Sequence, residues 1–289
     1  MVEGVFKRSW QITKLTFSVI NKDREIIWYP LLAGIFSLMF ILVLLFPTLI
    51  TSYLAQQGVP AFGIVEYLVL FVLYLGLAFI ATFFNTCVVY TAKRRFEGGN
   101  ATFKETIKFA LSKVHLIFVW SLVSASVGVF LRVLDRLAQK AGPIGGIVIK
   151  ILRGIMGIMW SIITLFVVPA MVYYDLGPID AIKKSIDVLK KTWGESIIRH
   201  VGLGSAIGLL FIVGIVLSIA LVVGGAMLGG VIGALVGFLI AVVYFVALFV
   251  IFNAANEVFN TALFVYGDSG KVPEGYNKEI MDGAFKAKI

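Results

Sequence analysis

The chain has 289 residues, of which 60% are hydrophobic and only 14% carry a charge. Soluble domains carry roughly 25% charged residues, so this composition excludes an ordinary soluble protein. Apolar stretches of about 20 residues recur along the chain, which is the length that a helix needs to cross a bilayer. The formal net charge of +9 therefore indicates an anionic membrane surface as partner and not nucleic acid.

Six apolar stretches predict six transmembrane helices in an all-α integral membrane protein. In chain order these helices cover about 28–54, 64–92, 114–135, 150–174, 200–223 and 230–264. The stretches are continuous and do not alternate between apolar and polar residues, which favours helices over the strands of an outer-membrane barrel. We expect Met1 to be retained, because the first ten residues lack the layout of a cleavable signal peptide.

The distribution of Lys and Arg predicts a multi-pass protein of the plasma membrane with both termini in the cytoplasm. The two terminal segments and the second–third and fourth–fifth connections hold 20 of the 25 cations. The first–second and fifth–sixth connections hold none, and basic segments stay on the cytoplasmic side. The third–fourth connection is an exception, since it contains Arg132, Arg136, Lys140, Lys150 and Arg153, and it is expected to form a basic external hairpin. Arg132, Arg136 and Lys140 are expected to form salt bridges with Asp135, to be solvated or to bind an anionic headgroup.

A short basic motif occurs three times, each time before a pair of predicted spans. Residues 182–186 (IKKSI) match 6–10 (FKRSW), and 103–107 (FKETI) are a weaker copy. The triplet FNT also recurs, at 84–86 and 259–261, near the ends of the second and sixth spans. Tandem repeats with the same handedness predict a pseudo-threefold arrangement about the membrane normal. The chain is therefore expected to be one membrane domain, 1–289, with repeat units at about 3–95, 101–175 and 178–266 and a cytoplasmic tail at 267–289.

Each repeat is predicted to begin with an amphipathic helix at the membrane interface. In the last copy, Ile182, Ile186 and Leu189 fall at steps of three and four and form one apolar stripe, while the lysines lie off it. Such a helix lies in the interface with its apolar side among acyl chains. Simple anchoring and recognition of a specific lipid are the two alternatives for these helices. The residues expected at the anionic lipid interface are Lys7, Arg8, Trp10, Lys14, Lys104, Lys183, Lys184, Lys190, Lys191 and Trp193.

Several further motifs resemble a family of prokaryotic polytopic membrane proteins that is catalogued as a domain of unknown function. The resemblance spans roughly residues 5–265 and includes NKDRE at 21–25 and the WS pairs at 120–121 and 160–161. Its most specific part is DLGPIDAIKKS at 175–185, followed by TWGE. The architecture is distantly similar to the membrane domain of some glycerophosphodiester phosphodiesterases, although no phosphodiesterase catalytic domain is present here. The resemblance implies a fold and not an activity.

Glycines at four-residue spacing predict close helix packing in the last third of the chain. Small residues at this spacing form a glycine zipper that lets helix backbones approach closely in lipid. The glycines concerned are Gly204, Gly208, Gly225, Gly229, Gly233 and Gly237. Packing between the fifth and sixth spans and an interface between copies in a homo-oligomer are the two alternatives. Some of the glycines between 224 and 230 are also expected in the turn that joins the spans.

Polar residues near the cytoplasmic ends of the second and sixth spans form a candidate intramembrane site. These residues are Asn85, Thr86, Asn253, Asn256, Glu257 and Asn260. A carboxylate in a spanning segment indicates a functional site, because burial of its charge is costly. A site for a solute or lipid headgroup and a purely structural or solvated cluster both stay open.

Signals for an enzyme are weak. His115 and His200 are the only histidines, Cys87 is the only cysteine, and HExxH, CxxC, GxSxG and P-loop motifs do not occur. We therefore expect no catalytic residue, metal or cofactor. The leading hypothesis is a non-enzymatic, lipid-binding protein that oligomerises and organises the membrane or binds an unknown protein partner. The alternative is a passive or weakly coupled transporter or channel for a small solute or lipid.

Overall fold

The computed structural model describes residues 2–54, 64–193, 204–278 and 281–282. Within these ranges the fold is all-α, as the sequence predicted. The helices are α1 (Val2–Lys22), α2 (Trp28–Leu54), α3 (Ile64–Phe96), α4 (Phe103–Ser112), α5 (Val114–Lys140), α6 (Gly142–Ile163), α7 (Val167–Tyr174), α8 (Pro178–Trp193) and α9 (Gly204–Ser269). A turn of 3-10 helix at Arg24–Ile27 joins α1 to α2.

Five segments of the described chain are long and apolar enough to cross a membrane, which makes this a multi-pass membrane protein. They are Arg24–Phe46, Tyr67–Phe96, Val114–Lys140, Gly142–Tyr174 and Leu210–Ser269. The first four overlap the first four predicted spans. The fifth contains both of the last two predicted spans, because α9 continues through the stretch that the sequence assigned to a connection.

Helix α9 bends sharply at two adjacent glycines. Gly229 and Gly230 have non-helical backbone angles, and Gly230 has a φ of 58°, which glycine adopts without a side-chain penalty. Further along, the Tyr244 hydroxyl donates to the carbonyl oxygen of Leu210 at 3.1 Å. The chain therefore doubles back, and α9 is a helical hairpin. Its first arm is 204–228 and its second arm is 231–269.

The amphipathic helices α1, α4 and α8 lie together at one end of the bundle, which we call the collar end. Helix α4 packs on α3, α8 packs on α7, and α1 packs on α9. The ring of Tyr29, at the start of α2, stacks on that of Phe103 in α4, with centroids 5.5 Å apart. The α5–α6 connection and the glycine bend of α9 lie at the other end, which we call the turn end. The three amphipathic helices thus lie at the same end of the bundle.

A helix break separates α6 from α7, where the sequence predicted one continuous span. Pro169 has no N–H and cannot continue the helical hydrogen-bond pattern at the start of α7. The side chain of Ser185 in α8 satisfies the broken ends, because its hydroxyl donates to the Ile163 carbonyl at 2.6 Å and accepts from the Phe166 N–H at 3.2 Å. This gives the serine of the DLGPIDAIKKS motif a structural role.

Residues after α9 fold back onto the collar end. Tyr276 packs edge-on against Phe96 of α3, with ring centroids 6.0 Å apart, and also against Phe259 of α9. Met281 is fully buried. Tyr276 contacts both of the buried apolar clusters that make up the core. Part of the predicted cytoplasmic tail therefore belongs to the packed structure.

Candidate functional site

The lysines of α8 divide into two groups. Lys184 forms a salt bridge of 2.6 Å with Asp268 at the end of α9 and lies over the ring of Tyr174. The Tyr174 hydroxyl donates to the same carboxylate. Lys183 pairs within α8 with Asp180 at 3.0 Å. The protein's own carboxylates thus pair with both lysines of the motif, and the other two lysines of α8 lie nearer its C-terminal end.

The other predicted interface residues have different surroundings. Lys190 and Lys191 of α8, Lys104 of α4 and Lys14 of α1 are all exposed. The side chains of Lys7, Arg8, Trp10 and Trp193 lie outside the described part of the structure. The exposed lysines therefore come from all three amphipathic helices at the collar end.

Three carboxylates that sequence reasoning missed connect the helices of the collar end. Asp23 is buried and accepts from Nε of Arg95 at 2.5 Å. Asp175 ends α7 with a φ of 55° and pairs with Lys113 at 2.7 Å. The third is Asp268, the partner of Lys184. Asp175 and Asp268 each follow closely after a tyrosine at the end of a spanning segment. This pattern was the signal in the sequence that could have indicated a carboxylate at the membrane interface.

A groove opens between α1 and α9 and has a volume of about 640 Å³. The polar residues along it, all from α1, are Thr13, Lys14, Ser18, Asn21 and Lys22. Its apolar residues are Phe17, Leu210 and Phe252. The rings of Phe17 and Phe252 pack edge to face, with centroids 6.5 Å apart. The α1–α9 groove therefore sets cations and hydrogen-bonding groups directly beside an apolar wall formed by both arms of α9.

The predicted intramembrane polar cluster is split between the interior and the surface. Thr86 of α3 is buried, and its hydroxyl donates to the carbonyl oxygen of Thr82 at 2.8 Å. Asn260 of α9 is also buried, whereas Asn253 and Asn256 are exposed. Glu257 and Asn85 are half-buried. The asparagines of α9, which the sequence predicted in one candidate site, thus do not share one environment.

The predicted packing glycines lie on both arms of the α9 hairpin and at its bend. A Cβ atom on Gly225 would lie 2.2 Å from the carbonyl oxygen of Gly233, and a Cβ on Gly237 would lie 2.4 Å from that of Leu221. Gly229 lies in the bend. The backbones of the two arms thus approach each other at these positions. Gly204 and Gly208 begin the first arm, and the side-chain environment there lies outside the described part.

The basic hairpin at the turn end forms contacts within the protein. Arg153 of α6 lies 3.2 Å from the carboxylate of Asp135 in α5. Arg136 donates to the hydroxyl of Tyr67 at 3.0 Å, and its guanidinium lies over the same ring. Lys140 and Lys150 are exposed. Asp135 therefore pairs with Arg153, which was not among the cations expected to pair with it.

Residues 64–274 match the family of unknown function DUF6159. This stretch begins at α3 and ends beyond α9, so it includes the DLGPIDAIKKS motif and the whole hairpin. A search of curated proteins found no match, and a search of solved structures found none either. The distant similarity to the membrane domain of glycerophosphodiester phosphodiesterases stays a prediction. Because the matched stretch covers well over half of the sequence, the chain belongs to the family of unknown function DUF6159.

Proposed function

We propose that this protein is a non-enzymatic, lipid-binding component that organises the plasma membrane from its cytoplasmic face. The observation that supports this proposal is the collar end, where three amphipathic helices lie at one end of a membrane-spanning bundle. In α8, Ala181 and Val188 are buried against the bundle, while Lys190 and Lys191 are exposed. A helix with this division lies in the interface and attracts anionic headgroups. Each lysine near such a surface contributes about 1 kcal/mol to lipid attraction.

We propose six membrane crossings, with the two arms of α9 as the last two. At about 1.5 Å per residue the first arm is about 37 Å long, enough for the hydrocarbon core of ~30 Å. The hairpin returns the chain to the collar end, where α1 also lies. Both termini are then on one side of the membrane, and the exposed lysines of the collar favour the cytoplasmic side.

The proposed architecture is a tandem threefold repeat. Each amphipathic helix packs on the spanning helix that precedes it, and α1 packs on α9 at the far end of the sequence, which supports a closed ring of three units. Ser185 and Thr106 occupy matching positions in two copies of the motif, and both are buried. Each also forms a hydrogen bond with the preceding unit. The Thr106 and Thr91 hydroxyls lie 3.2 Å apart, and the Ser185 hydroxyl bonds to the break between α6 and α7.

The test compares lipids retained by charge-matched variants. One variant replaces exposed collar lysines (Lys104→Gln, Lys190→Gln, Lys191→Gln), and its control removes three exposed cations from the turn end (Arg132→Gln, Lys140→Gln, Lys150→Gln). Native mass spectrometry of each protein, released from its own membrane, identifies the bound lipids and the number of copies. We expect a loss of anionic lipid from the collar variant alone. Equal retention by both variants would contradict the proposal.

A second candidate function is a passive pathway for a small solute or lipid. The exposure of Asn253 and Asn256 on the second arm of α9, beside the half-buried Glu257, favours it, because polar groups in a spanning segment mark solute pathways. Substitution Glu257→Ala separates the two functions in liposomes. If the protein is a pathway, Glu257→Ala abolishes solute flux and leaves the assembly unchanged. If it is a lipid-binding scaffold, Glu257→Ala changes neither the bound lipids nor the assembly.

A further inference from the structure

The polar residues of the α1–α9 groove form one continuous face of α1. Lys14, Ser18, Asn21 and Lys22 follow at i, i+4, i+7 and i+8, so they lie above one another along the helix. From Lys14 to Lys22 this face extends about 12 Å at the helical rise of 1.5 Å per residue. It offers two ammonium groups, an amide and a hydroxyl to a ligand. These are donors that suit a phosphate group.

One carboxylate lies at the end of this polar face. Glu274, from the segment after α9, is 3.3 Å from the ammonium of Lys22, and both side chains are about half exposed. An exposed pair of this kind is weak, so an anionic ligand can compete with Glu274 for the lysine.

The opposite wall of the groove is apolar and continues onto the outer surface of α9. Phe17 packs on Phe252, and Leu210 adds to this apolar lining. Next to Leu210, the side chains of Phe211 and Ile212 are 47% and 64% exposed on the first arm. A ligand with its phosphate among the lysines thus has an apolar path into the bilayer. A free phosphate or nucleotide would leave this wall unused.

We infer that the α1–α9 groove binds a single anionic phospholipid from the leaflet at the collar end. Its phosphate lies between Lys14 and Lys22, and Asn21 donates to the headgroup. Its acyl chains run along Phe17, Leu210 and Phe252 and leave the groove over the first arm of α9. The volume of about 640 Å³ falls in the usual range for small-molecule sites. This inference rests on the proposed lipid-binding function and assigns it one defined site.

The experiment titrates the purified full-length protein with phosphatidylglycerol, followed by native mass spectrometry. Phosphatidylcholine with the same acyl chains is the zwitterionic comparison. The groove variant is Lys14→Gln with Lys22→Gln, and its charge-matched control is Lys190→Gln with Lys191→Gln on the open surface of α8. We expect the first bound phosphatidylglycerol to be weakened about tenfold or more in the groove variant. The control should keep this first lipid with wild-type affinity and lose only later, weaker ones.

A second variant tests the shape of the site without a change in charge. Ser18→Trp fills the groove from its exposed polar side, and a thermal unfolding curve verifies that the protein is folded. We expect it to lose the first lipid as the lysine variant does. Wild-type affinity for the first phosphatidylglycerol in both groove variants would overturn the groove assignment, even if the control variant loses lipids. No loss of lipid in any variant would overturn the proposed function as well.

Discussion

Thr16 and Tyr276 lie 260 residues apart in the sequence, yet their hydroxyl oxygens are 2.9 Å apart. This contact joins α1 to the segment that follows α9. The ring of Tyr276 also packs on Phe96 and Phe259, so one side chain connects the two ends of the chain with α3 and α9. Gly275, with a φ of 91°, fits against Val19 of α1.

Removal of the Tyr276 ring should destabilise the collar end. We expect Tyr276→Ala to cost about 3 kcal/mol, because the half-buried ring that packs on Phe96 and Phe259 is lost and a cavity is left. Tyr276→Phe should cost about 1 kcal/mol, since it removes only the hydrogen bond to Thr16. Thermal unfolding in detergent measures both. Equal effects of the two variants would contradict the packing role.

Alkaline pH should loosen the same contact. Burial raises the pKa of Tyr276 above its usual value of 10.0. The unfolded chain then loses this proton more readily than the folded one. The contribution of Tyr276 to stability is therefore fully present below pH 10 and declines as the pH rises beyond it. The difference in stability between wild type and Tyr276→Phe, followed from pH 8 to pH 11, should shrink, and a constant difference would exclude this linkage.

Substitution of Ser185 should weaken the connection between α6 and α7. Ser185→Ala leaves the buried Phe166 N–H without the hydroxyl that accepts it, at a cost of about 1–3 kcal/mol. Ser126→Ala is a matched control, because Ser126 is exposed and its hydroxyl donates to the Leu122 carbonyl within its own helix. Hydrogen exchange at 163–167 should rise in the Ser185 variant and stay unchanged in the control. Similar exchange in both would refute this role.

The Asp23–Arg95 pair should be much more important for stability than the Asp180–Lys183 pair. Asp23 is only 5% exposed, so Arg95→Gln leaves an uncompensated buried charge at a cost of about 3 kcal/mol. The side chains of Asp180 and Lys183 are each more than 60% exposed, and Lys183→Gln should cost less than about 1 kcal/mol. Denaturation curves of both variants provide the comparison, and equal costs would contradict the prediction.

Enlargement of Gly233 should force the arms of α9 apart. A Cβ there would lie 2.0 Å from the carbonyl oxygen of Gly225, so Gly233→Leu should cost about 1–3 kcal/mol through overpacking. Gly224→Ala is the control, since nothing lies within 4 Å of its added Cβ. Light scattering in detergent should give the same number of copies for both variants. A change of stoichiometry in Gly233→Leu with unchanged stability would instead indicate an interface between copies.

The positions of the first four spans and the three amphipathic helices follow from the sequence, because they depend on local patterns. The spans are continuous apolar stretches, and the amphipathic helices have apolar residues at helical spacing. The break between α6 and α7 was not predicted, since its carbonyl and N–H groups are satisfied by Ser185, about twenty residues later. The salt bridge between Lys184 and Asp268 was missed for a similar reason. A count of charges places a lysine at the interface but does not reveal a carboxylate brought near it by a distant helix.

The α1–α9 groove was not predicted from the sequence either. Lys14 was assigned to the interface, but the apolar wall comes from Leu210 and Phe252, which belong to different arms of the α9 hairpin. Their meeting depends on the backbone of Gly230 at the bend. Because three separate segments of the chain line this site, it is recognised only when the three-dimensional path of the chain is known.

The contact of α1 with α9 also constrains the order of assembly during synthesis. Helix α1 leaves the ribosome before α9, the helix on which it packs. A chain stalled before residue 204 therefore carries α1 without its partner and lacks one wall of the groove. The packing of α1 on α9 must therefore wait for the synthesis of α9, and a chain with a free, protease-accessible α1 is an unfinished one.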